Sequence, residues 1–245
     1  MRNRLISFAL LFGSLALAGG VDTNPHKTIG EIPVPAGYTR VAADKGSFAE
    51  WLREVRLKSD KTVHLFDTTE KENQAAQYAV LDVSVGTRDL QQCADAVMRL
   101  RAEYLFAAKK FSDISFIDNN KKKYAFKEPF TRENFDKYLP KVFAFCGTAS
   151  LTKQLKKLPA KSEVQIGDVL IRGGFPGHAV LVVDVAVNDE GQRVYLLTQS
   201  YMPAQDIHVL VNPGDDELSP WYLAKDAGDI ETPEYLFHAN EFMRW

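Results

Sequence analysis

The clearest indication of the architecture in this sequence is the segment Gly167-Asp168-Val169-Leu170-Ile171-Arg172-Gly173-Gly174-Phe175-Pro176-Gly177-His178-Ala179-Val180-Leu181-Val182-Val183-Asp184. A short apolar run, a loop rich in glycine and proline, and a long β-branched run together predict a β-hairpin. His178 opens the second strand, where rigid backbone would hold its ring at the rim of the sheet. That position suits a general base, provided that the chain also supplies a nucleophile.

The composition is that of a globular protein. The 245 residues are 45% hydrophobic and 25% charged, which predicts one large domain or one domain with extensions. The formal net charge is −2. Because no basic bias favours binding to phosphates, we expect no nucleic-acid partner.

The first segment is typical of a signal peptide. Two arginines precede an apolar run over residues 5–17, and Ala16-Leu17-Ala18 fits the small-residue rule for cleavage. The run is too short for a comfortable membrane span, and Gly19-Gly20 stands where a lipoprotein would carry its cysteine. We therefore expect residues 1–18 to be removed, no stable membrane span to remain, and the mature chain to be periplasmic or secreted.

Residues 19–245 predict a single α+β domain with an extended N-terminal arm over about residues 19–45. Prolines and glycines between Asn24 and Tyr38 favour the arm. The capping signals and apolar periodicity predict helices over residues 47–56, from Asp89 to about Lys110, from Thr131 to Leu139 with an interruption at Pro140, and over about residues 141–158. Strands are predicted over residues 62–66, 78–85, 114–117, 169–171, 178–187, 194–201 and 207–211.

The two cysteines, Cys93 and Cys146, would lie in a compartment that permits disulfides. Their number leaves three alternatives open: a structural pair, two buried thiols, or one reactive thiol beside an unreactive one. Cys146 stands between Phe145 and Gly147, which favours a small core residue.

Cys93 and His178 form a candidate catalytic pair. With Asp89 as the predicted N-cap, Cys93 lies in about the first turn of its helix, where the helix dipole favours a thiolate. A cysteine in this position, served by a histidine at the start of a strand, is the arrangement of papain-like thiol hydrolases. Cys93 also lies on the apolar stripe of the helix, so a buried structural thiol is the alternative.

Strand pairing predicts a third member of the site. If the following turn centres on Asp189-Glu190, His178 lies opposite Tyr201 and diagonal to Gln199 on one face of the sheet. Gln199 would then accept a hydrogen bond from the imidazole and fix its tautomer. A slip of one residue would place Ser200 there instead.

Two other classes of function fit the sequence. A non-catalytic module would bind cell-wall peptide or glycan on a surface that includes Tyr201, Trp221 and Tyr222. A zinc hydrolase would use His178 and His208 with a carboxylate. The sequence contains no HExxH, CxxC, GxSxG or glycine-rich phosphate loop, and we expect neither a metal nor another cofactor.

Several segments resemble, in order, the hallmark segments of a bacterial family called domain of unknown function 4846. They are Leu90–Tyr104, Gly147–Leu151, Gly167–Asp184, Gln199–His208 and Pro220–Tyr222. The resemblance covers nearly the whole mature chain from about Ile32, and it brings no established reaction.

A looser resemblance links the Gly-Asp strand and the strand opened by His178 to NlpC-type and CHAP-type papain-like cysteine amidases. It implies an NlpC-like core in which the helix carrying Cys93 packs on an antiparallel sheet. It also implies an exported thiol hydrolase, an amidase or peptidase acting on cell-envelope peptide. The context Gln92-Cys93-Ala94 departs from the Asp-Cys-Ser or Asp-Cys-Gly context usual in those amidases.

Overall fold

The computed structural model describes residues 23–159 and 163–245. The predicted signal peptide lies outside these residues. The described part of the predicted arm lies against the domain, since Ile29 and Ile32 are fully buried. No helix in the described ranges is long and apolar enough to cross a membrane.

The secondary structure is a mixture of helices and short strands. The helices are α1 (Phe48–Glu54), α2 (Cys93–Ala107), α3 (Arg132–Phe145) and α4 (Thr148–Leu151). The strands are β1 (Tyr38–Arg40), β2 (Gln77–Val80), β3 (Ser115–Ile117), β4 (Lys123–Ala125), β5 (Lys156–Lys157), β6 (Val169–Arg172), β7 (His178–Asn188), β8 (Arg193–Gln199), β9 (His208–Leu210), β10 (Tyr222–Leu223), β11 (Asp229–Thr232), β12 (Tyr235–His238) and β13 (Phe242–Arg244).

A nine-stranded sheet forms the centre of the fold. Its order is β2-β9-β8-β7-β6-β13-β5, with β1 paired to β7 and β10 paired to β8. Every one of these pairs is antiparallel. Two-stranded sheets, β3-β4 and β11-β12, complete the architecture. The α+β class with an antiparallel sheet is therefore confirmed.

The central strand β7 is buried on both faces because each face has its own cover. Ala179, Leu181 and Val183 belong to the cluster that includes the apolar residues of α2. Val180 and Val182 face the other way, toward the cluster that includes residues of β12 and β13. Successive side chains of β7 therefore pack alternately into two apolar layers. Burial of each valine or leucine stabilises the folded state by about 1.5–3 kcal/mol relative to leaving it exposed.

A β-bulge between Val182 and Asp184 shifts the register of β7 against β8 by one residue. Asp184 is fully buried there and accepts hydrogen bonds from Arg40 Nε at 2.6 Å and Arg53 Nε at 2.7 Å. A buried carboxylate needs such partners, because an unpaired one would lose its hydration without compensation. The bulge therefore has a specific anchor on β1 and α1.

Helix α2 begins at Cys93, which corrects the prediction that Asp89 is its N-cap. Gln92 is the N-cap residue, and its backbone N–H donates to Asp95 Oδ2 at 3.1 Å. Asp89 instead accepts a hydrogen bond from the backbone N–H of Ala204 at 2.7 Å. The carboxylate that fits a cap in the sequence is thus used to hold a distant loop.

Helix α3 continues through Pro140 to Phe145, so the predicted interruption is wrong. Its apolar face holds it, since Leu139 and Val142 on either side of the proline are buried, and packing outweighs the loss of one backbone hydrogen bond. The predicted helix over residues 141–158 is also wrong: α3 ends before Cys146, and α4 and β5 follow.

Two predicted strands differ from the structure. Residues 62–66 form only isolated bridges, from His64 to Glu70 and from Leu65 to Gln205. The strand predicted over residues 78–85 corresponds to β2, which spans only Gln77–Val80. Both segments pair over only a few residues, which is too short for alternation to mark their ends.

Candidate functional site

Cys93 is the first residue of α2, and its side chain is partly buried. Its Sγ lies 4.0 Å from the carbonyl oxygen of Gly177. The backbone N–H groups of Ala94 and Ala179 also interact with the sulfur. The thiol therefore contacts the chain on both sides of His178. Cys146 is buried and free, so the two cysteines are separate thiols.

The Cys93 thiol is protonated at neutral pH. Burial raises its pKa to about 11, and the nearby Asp95 carboxyl acts in the same direction. The N–H groups of Ala94 and Ala179 lower the pKa, but burial outweighs them. Reaction at neutral pH would therefore need a base close to the sulfur.

His178 is the first residue of β7 and is 1% exposed. Its ring packs between the rings of Tyr201 and Tyr235, with both centroids at 5.0 Å, and over Phe237 at 5.7 Å. Nε2 lies 2.8 Å from Gln199 Oε1. Burial lowers the pKa of His178 to about 4, although Gln199 and the charge of Glu234 oppose this effect. The imidazole is neutral at pH 7 and has the protonation state of a base.

The thiol and the imidazole approach the rim of the sheet from opposite faces. Helix α2 packs with Ala179 and Leu181, whereas His178 alternates with them and faces Phe237. Among the described residues, Cys93 and His178 share no hydrogen bond. The contacts of Sγ with Gly177 and Ala179 nevertheless bring the sulfur to the backbone of the histidine.

Gln199, the last residue of β8, is fully buried beside His178. The turn between β7 and β8 is centred at Glu190. Beyond the bulge at Asp184 the pairing shifts by one residue, and in this register His178 lies opposite Tyr201, as predicted. The predicted hydrogen bond between Gln199 and the imidazole is present in the structure. Its role in a reaction stays a prediction.

The amide nitrogen of Gln199 leads to two residues that the sequence did not single out. It donates to Glu234 Oε2 at 2.7 Å, and Glu234 forms an ion pair with Lys71 at 2.8 Å. Lys71 is 8% exposed. The contacts join residues from distant parts of the chain, and no local pattern marks either of them.

The predicted binding residues occupy different environments. Tyr201 is partly buried, packs edge-on against His178, and donates from its hydroxyl to the carbonyl of Glu234 at 3.4 Å. Trp221 is 1% exposed, and its Nε1 donates to a backbone carbonyl of the N-terminal arm at 2.7 Å. Tyr222 is also buried, and its hydroxyl donates to Val211 O. This corrects the prediction of an exposed stacking surface at Trp221 and Tyr222.

A cleft of about 980 Å³ lies between β10 and the β11–β12 hairpin. The rings of Tyr195 and Tyr222 stack at 5.8 Å along it. The buried Tyr195 hydroxyl has no hydrogen-bond partner within the described ranges. Glu234 and Tyr235 line the same cleft, which places it next to the aromatic surroundings of His178.

A metal site was the third alternative in the sequence. Over residues 23–159 and 163–245, no group of three histidine, cysteine or carboxylate side chains is placed to hold a metal ion. The Gln199 amide lies between His178 and His208, with its oxygen 2.8 Å from the first ring and its nitrogen 3.4 Å from the second. The two imidazoles therefore share an amide group.

The model of the family described as domain of unknown function (4846) matches residues 29–130 and 118–244. The chain therefore belongs to this family. No curated protein and no solved structure matches the chain.

Proposed function

We propose that this member of the domain of unknown function (4846) family is a cysteine-dependent hydrolase of amide bonds, built on a papain-like, NlpC-like core. Cys93 would be the nucleophile, His178 the general base and Gln199 the residue that orients the imidazole. The observation that carries the proposal is the contact of Cys93 Sγ with the backbone on both sides of His178, while Gln199 holds the far side of the ring.

The chemistry follows from the resting protonation states. Both groups are neutral at pH 7. As the sulfur attacks the amide carbonyl, the thiol proton would pass to Nδ1 of His178 through one water molecule at the rim of the sheet. The protonated imidazole then gives this proton to the departing amine as the C–N bond breaks. Water hydrolyses the thioester, with His178 again acting as base, and the carboxylic acid and free thiol result.

The N-terminus of α2 supports such a step. Cys93 is the first helical residue, and its own N–H and that of Ala94 interact with the sulfur. These first N–H groups of the helix have no partners within it. Backbone donors in this position stabilise negative charge on a thiolate or on the oxygen of a tetrahedral intermediate. The 15-residue length of α2 gives the dipole its full effect at this end.

A peptide of the cell envelope is the proposed substrate, and the periplasm or the exterior the proposed location. The resemblance to NlpC-type amidases and the predicted signal peptide support this choice. Two exposed apolar side chains flank the site: Phe175, which is 90% exposed on the loop before β7, and Met202, which is 57% exposed after β8. They offer apolar surface for side chains of an extended peptide.

Active-site labelling tests the proposal in the Cys146→Ser background, where Cys93 is the remaining thiol. We expect one equivalent of iodoacetamide to react with Cys93 in the folded protein at pH 7, and His178→Ala to slow this labelling about 10²-fold. His238→Ala is the matched control, because this histidine is exposed and pairs with Asp229. Labelling of Cys93 only after unfolding would contradict the proposal.

The cleft between β10 and the β11–β12 hairpin supports a second candidate function, that of a non-catalytic module for cell-wall glycan or peptide. Leu236, which is 46% exposed, and the exposed carboxylate of Glu231 line the cleft and offer apolar and polar contacts to such a ligand. Titration of the protein with fragments of digested peptidoglycan tests it. Binding that Leu236→Ala weakens and Cys93→Ser leaves intact would favour this function, and absence of binding would exclude it.

A further inference from the structure

The orientation of the Gln199 amide is determined by its neighbours. Its nitrogen faces Glu234 Oε2 at 2.7 Å and His208 Nε2 at 3.4 Å, and its oxygen faces His178 Nε2 at 2.8 Å. Glu234 is held by Lys71 Nζ at 2.8 Å and also accepts from Asn73 Nδ2 at 3.3 Å. A carboxylate can only accept hydrogen bonds, so the amide group facing it must be the NH₂.

The tautomer of His208 leads to the same assignment. Its Nδ1 lies 2.9 Å from the backbone carbonyl oxygen of Asp206. A carbonyl oxygen only accepts, so Nδ1 carries the proton and Nε2 of the neutral ring is an acceptor. The second hydrogen of the Gln199 NH₂ therefore points at an acceptor as well. Rotating the amide by 180° would place its oxygen against two acceptors.

The consequence for His178 follows directly. With the Gln199 NH₂ committed to Glu234 and His208, Oε1 is the group that faces His178 Nε2. The imidazole must donate in this hydrogen bond, so its proton sits on Nε2 and its Nδ1 is unprotonated. This is the tautomer in which Nδ1 can take a proton from the Cys93 thiol.

We propose that Glu234, fixed by Lys71, and His208 are positioning residues that set the tautomer of His178 through the Gln199 amide. The usefulness of this tautomer in catalysis rests on the proposed hydrolase function. The tautomer itself does not depend on that function, and it can be measured in the resting protein.

Glu234→Gln is the informative variant because it keeps the shape of the side chain. Lys71 Nζ lies 2.8 Å from both carboxylate oxygens, whereas Asn73 Nδ2 donates to Oε1 alone, and the Asn73 amide is itself fixed by the N–H of Ala75. The new amide oxygen should therefore take the Oε1 position. Its NH₂ would then face Gln199, which reverses its own amide to accept this hydrogen bond. Gln199 would now donate to His178 Nε2, and the proton of the imidazole would move to Nδ1.

Long-range ¹H–¹⁵N correlation spectra of protein labelled at its five histidines measure the tautomer, with the His178→Gln variant identifying the signal. At pH 7 we expect the Nε2–H form of His178 in the wild type and a shift of the population to Nδ1–H in Glu234→Gln. The control is Glu231→Gln, an exposed carboxylate on the same hairpin, which should leave the spectrum unchanged. If Glu234→Gln does not fold because the buried Lys71 has lost its charge partner, the double variant Lys71→Met with Glu234→Gln removes both charges. It tests the orientation of the Gln199 amide in the same way.

The outcomes separate this inference from the proposed function. An Nδ1–H tautomer in the wild type, or an unchanged Nε2–H tautomer in both folded Glu234 variants, would overturn the inference. If both the positioning role and the hydrolase function are correct, the rate of Cys93 alkylation should fall at least about tenfold in Glu234→Gln. If the tautomer changes as expected while Cys93 never reacts, the positioning role stands and the hydrolase proposal fails.

Discussion

The pH dependence of Cys93 alkylation should distinguish two routes of reaction. If only the free thiolate reacts, its amount sets the rate. With a pKa of about 11, roughly 10⁻⁴ of the thiol is ionised at pH 7. The rate would then rise about tenfold per pH unit up to pH ~11. This profile is expected of a buried thiol that has no base.

A base at His178 changes the shape of the profile. The neutral imidazole is the active form, and with a pKa of about 4 it is almost fully present above pH ~5. The rate should therefore be nearly constant through the neutral range. A contribution of about 10² from general-base catalysis would keep the curve flat until pH ~9, where the growing thiolate fraction overtakes it.

The assay is mass-spectrometric quantification of iodoacetamide adducts over pH 5–10 in the Cys146→Ser background. His178→Ala should convert the flat curve into a line with a slope of one and lower the rate at pH 7 about 10²-fold. The reasoning is refuted if the folded wild type already shows a slope of one and matches the rate of His178→Ala at every pH.

Three predictions concern the scaffold that holds the site, and chemical denaturation with urea measures each as a change in the free energy of unfolding. Asp184→Asn should cost about 3 kcal/mol, because it leaves the two arginines at the bulge without their carboxylate. The control Glu133→Gln removes an exposed ion pair and should leave the free energy of unfolding almost unchanged. Ser47→Ala should cost about 1 kcal/mol, since the hydroxyl accepts from the N–H of Glu50 at the start of α1. Trp221→Phe should cost at least about 1 kcal/mol through loss of its indole hydrogen bond, and no change would show that the arm is held by other contacts.

The hairpin of β6 and β7 could be predicted from the sequence because its signals are local. Breakers lie between two apolar runs, and His178 starts the longer one. The position of Gln199 followed from counting residues around the next turn. The turn is centred at Glu190, half a residue later than predicted, which alone would shift the pairing by one residue. The bulge at Asp184 shifts the pairing back, so the predicted position of Gln199 was correct.

Features decided by long-range contacts could not be predicted. Asp89 and Gln92 both suit the start of α2, and a hydrogen bond from Ala204, 115 residues away, commits Asp89 to another role. Glu234 and Lys71 meet across 163 residues, so neither stands out in its own neighbourhood. The sequence also does not show which face of the sheet α2 covers. It therefore could not predict that the His178 side chain lies on the opposite face.

The place of β13 in the sheet has a consequence for biosynthesis. Residues 242–244 are synthesised after β5 and β6, yet they lie between these two strands and pair with both of them. While the chain is still being translated, both earlier strands present open edges, which are prone to pair with other chains. The central sheet can close only after residue 244 has left the ribosome.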